Sequence, residues 1–252
     1  MRKISKLLLI ILSAVCIQSC KKNTAETPSP DNDKIYLVSK ITWHYNNGDD
    51  IEKLTYDEKD RVVNVKFVGQ FEHKYTYDSN DRVIEVKSYS DSAPNEFSIT
   101  TYQYLSDNIH VKITDGRTGN QIGAYTYILK DGKAIKYGMD GGDYAFVYDY
   151  DNKGNLKKVQ QLTVKGGELS DWGNYQHDDK KSPYSMIKGL NFHFMFVLHT
   201  PTYSPVNNII NNYLVGGTFI TYKYNDAGFP VIALLPRDNY PDLKVDYEYI
   251  IK

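Results

Sequence analysis

The chain has 252 residues, with 30 Lys and Arg against 31 Asp and Glu and a formal net charge of −1. So even a balance argues against nucleic acid as a partner, because phosphate binding needs a concentrated basic face. The two cysteines are Cys16 and Cys20; both fall in the N-terminal segment, so the rest of the chain offers no disulfide, cysteine nucleophile or thiolate metal site.

Arg2, Lys3 and Lys6 precede an apolar run over 7–17 broken only by Ser13. That run is too short for a bilayer-spanning helix of about 20 apolar residues, and 1–19 reads as a signal peptide. It ends in Ile17-Gln18-Ser19-Cys20, which resembles the lipobox of bacterial lipoproteins, whose cysteine is acylated and becomes the first residue of the mature chain. An ordinary secretory cleavage site beside a chance cysteine is the alternative. On the lipobox reading Cys20 carries the lipid, and the protein is attached to a membrane without spanning it. Removing 1–19 takes three of the 30 bases and none of the 31 acids, leaving a formal charge of −4. Residues 20–34 include Pro28 and Pro30 and no large apolar side chain, the composition of a flexible or polyproline-like tether. Folding is expected over 35–252, a length suited to a single β domain.

Within that domain YDEKDRV at 56–62 recurs as YDSNDRV at 77–83, and with drift as YDNKGNL at 150–156 and YNDAGFP at 224–230. Asp or Asn after the tyrosine starts a turn, because its short side-chain oxygen caps nearby backbone N–H groups. Gly, and less easily Asp, three residues later tolerates the left-handed conformation that closes a hairpin loop. The flanks HKYTY (73–77), FSITTYQY (97–104) and ITYKY (220–224) place aromatic or β-branched residues at every second position, the period of one strand face. On the outgoing side Val63, Val65 and Phe67 alternate with Asn64 and Lys66, and Ile84, Val86 and Ser88 with Glu85 and Lys87. Asn46-Asn47-Gly48, Asp115-Gly116, Lys130-Asp131-Gly132 and Asp140-Gly141-Gly142 add further turns. The expected fold is all-β, a large antiparallel up-and-down meander curled into a barrel-like sheet. The 23 tyrosines, against nine phenylalanines, are then rings packed inward or along the strands with hydroxyls reaching water or a partner.

The Tyr-Asp word resembles the tyrosine-aspartate repeats of large bacterial β-shell proteins. KKSPY (180–184), KGL (188–190), Asn207-Asn208 and YKYNDAGFP (222–230) resemble the ordered landmarks of a family of Bacteroidota lipoproteins of unknown function with a porin-like fold. The resemblance implies a curled antiparallel sheet and brings no catalytic residues with it.

Charged residues such as Lys66, Glu85, Lys87 and Lys112 on the face opposite the apolar one favour a barrel with a packed interior, because a membrane barrel presents an apolar band outward. Residues 183–215 lack the hairpin rhythm and hold a dense apolar run from Met186 to Leu198, interrupted by Lys188, Asn191 and His193. A short helix or plug near 184–199 is expected there, with a docking surface as the alternative.

No nucleophile elbow, phosphate loop, paired-histidine zinc motif or dinucleotide fingerprint occurs, and a non-enzymatic protein is expected. His177-Asp178-Asp179 with His193 and His199 is the best metal constellation. Neighbours on a strand point to opposite faces, so neither a metal nor another cofactor is expected. Turn acids such as Asp57, Asp78, Asp151 and Asp226 are explained by backbone capping. The stretch GGELSDWGNY at 166–175 is the best ligand loop, with Trp172 and Tyr175 as contacts and Trp43 as a second platform. The expected role is a lipid-anchored binding or structural module of the cell envelope. It belongs on the outer membrane, the periplasmic face favoured over the surface, with a glycan or an envelope protein as partner. A glycan-binding module of an outer-membrane uptake system is one alternative, and a glycan or peptidoglycan hydrolase is another.

Overall fold

The computed structural model describes residues 34–188, 206–212, 218–237 and 240–252. All the regular structure in them is β. The first strands are β1 (Tyr36–Tyr45), β2 (Gly48–Tyr56), β3 (Val62–Phe67), β4 (Phe71–Tyr77), β5 (Val83–Ser90) and β6 (Ala93–Tyr104). Next come β7 (Asn108–Asp115), β8 (Gln121–Lys130), β9 (Lys133–Met139), β10 (Tyr144–Tyr150), β11 (Leu156–Thr163) and β12 (Leu169–Lys181). The last are β13 (Asn207–Asn212), β14 (Thr218–Phe219), β15 (Thr221–Tyr224), β16 (Pro230–Arg237) and β17 (Tyr240–Ile251).

The pairing is that of a meander. Each strand from β1 to β13 is antiparallel to its chain neighbour, β16 pairs with β15 and β17, and β17 pairs with β1. Between β13 and β16 the chain passes through β14 and β15, interrupted at Ile220, whose amide donates to the Ile210 carbonyl at 2.8 Å. The result is a nearly closed, barrel-shaped sheet. Its interior is one apolar cluster with contributions from strands all round the ring, including Ile41, Leu54, Val65, Val86, Val111, Tyr127, Val159 and Val245. The outer wall carries ion pairs such as Lys40–Glu248 at 2.8 Å, Lys158–Asp171 at 2.7 Å and Lys87–Glu85 at 3.7 Å. That is the reverse of a lipid-facing wall, which needs an outward apolar band about 25 Å tall.

The repeated word is a five-residue hairpin loop with a fixed hydrogen-bond plan. Asp57 Oδ1 accepts from the amides of Lys59 and Arg61 at 2.9 and 3.0 Å, Asp78 from Asn80 and Arg82, Asp151 from Lys153 and Asn155, and Asn225 from Ala227 and Phe229. The fourth loop position is left-handed in every copy, with φ of 65° at Asp60, 60° at Asp81, 94° at Gly154 and 81° at Gly228. Each copy also carries a β-bulge just past the turn. Tyr56 faces Val62 while Thr55 faces Asn64, and the shift recurs before Tyr77, Tyr150 and Tyr224.

The bulge corrects the strict alternation expected on the outgoing strands. Val62 and Val65 are both buried, as are Val83 and Val86, because the extra residue spaces the inward positions by three instead of two. Val63 and Ile84 are the extra residues, half-buried. Bulges raise local twist and bend the strand, and a bulge in each repeat curls the sheet.

The tyrosines join one repeat to the last. Tyr77 donates its hydroxyl to the Val62 carbonyl at 2.6 Å, Tyr104 to Val83 at 2.8 Å, Tyr150 to Ala134 at 2.8 Å, Tyr249 to Pro230 at 2.7 Å and Tyr56 to Val38 at 2.6 Å. Arg61 lies 4.5 Å above the Tyr77 ring and Arg82 4.5 Å above that of Tyr104. These bonds staple neighbouring turns and strand ends of one barrel end together. Of the helix or plug expected at 184–199, only 184–188 is described. Residues 183–186 form a turn with Tyr184 buried, and the remainder lies outside the described residues, as do Cys20, His193 and His199.

Candidate ligand-binding mouth

Because successive strands run up and down, the barrel has two ends of different chemistry. The stapled end holds the tyrosine-word turns and both described chain ends, where Ile35 and Lys252 exchange backbone hydrogen bonds of 2.9 and 3.0 Å. Asn207 and Asn208 belong to this end and act structurally. Asn155 and Asn207 pair side chain to backbone and side chain to side chain at 3.0 Å. Asp178 accepts from the Asn208 amide at 3.1 Å and from the Tyr224 hydroxyl.

The opposite end is formed by the other set of turns, and most of the exposed large apolar side chains gather there. They include Ile122, Met139, Tyr144, Leu169, Trp172 and Tyr240. Inside this mouth an arc of rings crosses several strands. Tyr125 on β8 meets Tyr137 on β9 with centroids 5.0 Å apart, Tyr137 meets Phe146 on β10 at 6.3 Å, and Phe146 meets Trp172 on β12 at 5.3 Å. Tyr125, Tyr137 and Phe146 rest on the core and are half-buried; Trp172 is 47% exposed. Burial pushes the Tyr125 hydroxyl up to about 12 and also raises Tyr137, so both remain neutral donors.

A groove of about 370 Å³ opens on the same end between β4 and β8. Phe71, Ser88, Ser90, Ser98, Asp115 and Arg117 line it. Arg117 is held between Glu96 at 3.4 Å and Asp115 at 4.0 Å. Three amides or hydroxyls of the following turn lower the Asp115 carboxyl, its bonds from Thr118 and Arg117 foremost, so it is an anion facing the groove. Below it His73 bonds Ser88 at 2.8 Å, and burial lowers its imidazole to about 4.

No family model matches this chain. No curated protein matches it either. Among solved structures it is similar to a porin-like protein from Bacteroides vulgatus, with 13% identity over 86% of this chain and 99% of that one and a TM-score of 0.44. A porin-like protein from Bacteroides uniformis has 12% identity over 85% and 98%, with a TM-score of 0.41. A Photorhabdus luminescens Tc holotoxin pore structure has 14% identity over 80% of this chain and 11% of that one, at a TM-score of 0.29.

The three residues expected to contact a ligand are not brought together. Trp172 sits on a strand rather than in a loop, as the extra residue where Val159 faces Gly173 and Gln160 faces Asp171; the bulge leaves its indole standing at the mouth. Tyr175 lies farther along the same strand, half-buried against the core. Trp43 is 4% exposed and stacked on Phe67 at 6.1 Å, so the expectation of a second exposed platform is corrected: an inward position on β1 buries the indole. Tyr125, Tyr137, Phe146 and Tyr144 are at the mouth without having stood out in the sequence. A signal for Tyr125, Tyr144 and Phe146 is the alternation in YTY (125–127) and YAFVYDY (144–150), which shows that the rings share a strand face but not that they meet at one end of the barrel. Among the described residues no group of three His, Asp, Glu or Cys could hold a metal, and no helix is long and apolar enough to cross a membrane.

Proposed function

We propose that this chain is a lipid-anchored, non-enzymatic binding module of the bacterial cell envelope that holds its open mouth away from the membrane. The observation that carries this reading is the polarity of the barrel. The chain enters at Ile35 on the stapled end, whereas most of the exposed large apolar side chains and the groove lie at the far end. A tether from Cys20 therefore lifts the mouth toward whatever it binds. A polar outer wall, with ion pairs such as Lys40–Glu248, suits a barrel standing in water beside the membrane, on the periplasmic face of the outer membrane.

Metabolic labelling with a palmitate analogue tests the anchor. The wild type is expected to incorporate label and sediment with membranes, and Cys20→Ala to do neither; an unlabelled wild type would overturn it. Because Cys16 and Cys20 are the chain's two cysteines, a cysteine placed at Asn47 gives a unique thiol at the mouth. It should react with a membrane-impermeant maleimide only after the outer membrane is permeabilised.

A further inference from the structure

Taken as the ligand site of a binding module, the mouth has a chemistry that selects its ligand. A sugar ring offers an apolar C–H face and a rim of hydroxyls, so its receptor needs flat aromatic surface beside hydrogen-bonding groups. Both are present. Tyr137 and Phe146 are stacked at 24°, whereas Tyr125 meets Tyr137 edge-on at 65° and Phe146 meets Trp172 edge-on at 75°, so the flat free face is that of the exposed Trp172 indole, with the other rings as its apolar floor. The groove adds the hydroxyls of Ser88, Ser90 and Ser98 and the carboxylate of Asp115.

Charge narrows the class further. At this end Asp49 and Glu96 stand near the starts of β2 and β6 and Asp91, Asp140, Asp143 and Glu168 on the turns, against Lys66, Arg117, Lys165 and Arg237. Arg117 is paired with Glu96, Lys165 with Asp143 at 3.1 Å and Lys66 with Asp91 at 3.9 Å, which leaves Asp49, Asp140 and Glu168 against Arg237, an excess of acid. An acidic rim repels uronic, sulfated or phosphorylated glycans and anionic lipid headgroups. We infer that the mouth binds a neutral oligosaccharide, stacked on the Trp172 indole beside the Tyr125, Tyr137 and Phe146 rings and hydrogen-bonded by the adjoining groove. This rests on the proposed binding role and deepens it.

The full lipoprotein in detergent supplies its own probe, since of its two tryptophans Trp172 is exposed and Trp43 buried. Titration with cellohexaose, maltohexaose and xylohexaose should shift the Trp172 emission for at least one of them, with no response to polygalacturonate. By calorimetry Trp172→Ala should weaken that binding about tenfold or more, and Tyr144→Ala, at the exposed lip, less. The unshifted emission of Trp43 reports that each variant is folded. The inference is overturned if neutral sugars bind nowhere, if Trp172→Ala binds as well as the wild type, or if the anionic polymer binds better. A photocrosslinker at position 144 separates the two readings. Capture of an envelope protein without sugar binding would overturn the oligosaccharide and leave the binding role standing, and silence in both assays would overturn both.

Discussion

Glu52 lies on β2 between Ile41 and Phe67 of the flanking strands, fully buried, and neither carboxylate oxygen has a hydrogen-bond partner among the described residues. Burial raises its pKa to about 8, so the folded protein holds it protonated at neutral pH, while the unfolded chain releases the proton near 4.5. Because the folded state binds the extra proton, stability falls as pH rises through that window, by about 1.4 kcal/mol per pH unit. His73 acts with the opposite sign: its folded pKa of about 4 lies below the ordinary 6.5, so it destabilises the fold as pH drops between those values. His177, also lowered by burial, adds to the His73 slope, so below about 6.5 the two histidines offset or outweigh Glu52, and above about 6.5 Glu52 leaves a net decline. Urea midpoints across pH 5 to 8 should stay level or rise up to about 6.5 and then fall. In Glu52→Gln the fall should vanish and a rise up to 6.5 should appear; a fall that persists would place the titrating group elsewhere. Tyr77 acts at the same scale by donating to the Val62 carbonyl. Tyr77→Phe leaves that carbonyl without its donor, which should cost about 1 kcal/mol in urea denaturation.

The turn is the element from which the barrel is built, and its parts make separable contributions. Asp57 accepts from two loop amides and is paired with the Arg61 guanidinium at 2.6 Å. Asp57→Ala should lower stability by about 1 to 2 kcal/mol, read as a lower thermal midpoint. At Gly228, with φ of 81°, an added Cβ meets nothing within 4 Å. Gly228→Ala therefore isolates the cost of the left-handed backbone, about 1 kcal/mol; a neutral result would mean the loop relaxes. These local contributions were legible in the sequence because capping side chain, left-handed position and strand start fall within seven consecutive residues. The bulge was not, since the pattern at Val62, Val63 and Val65 reads as plain alternation unless the extra residue is known. The tyrosine staples were hidden for another reason. The Val83 carbonyl that receives the Tyr104 hydroxyl is a repeat away, and periodicity says only that Tyr104 points inward. Trp172 and Trp43 read alike in sequence as aromatic residues on or near strands. Registry decided between them, a bulge exposing one and an inward position burying the other.

At the scale of the whole molecule the pairings are of two kinds. Hairpins such as β4–β5 or β7–β8 join chain neighbours, and form at small loop-closure cost. The β1–β17 seam instead joins Tyr36 to Ile251 and Trp43 to Val245, and contacts so distant in sequence close late and slowly. Without β17 the core would lose Leu243, Val245 and Tyr247, and β1 and β16 would become open edges that invite aggregation. Deleting 240–252 is thus expected to abolish the cooperative urea transition and the native far-ultraviolet spectrum. Connectivity at the seam is a different matter, because Ile35 and Lys252 already exchange hydrogen bonds of 2.9 and 3.0 Å. A circular permutant that joins them through a short glycine linker, with new ends cut between the exposed Thr118 and Gly119, keeps every strand pair and opens only a surface turn. It should fold to within about 1 to 2 kcal/mol of the parent. A permutant that fails to fold, or a truncated chain that unfolds as cooperatively as the full one, would show that the seam is not what holds the ring together.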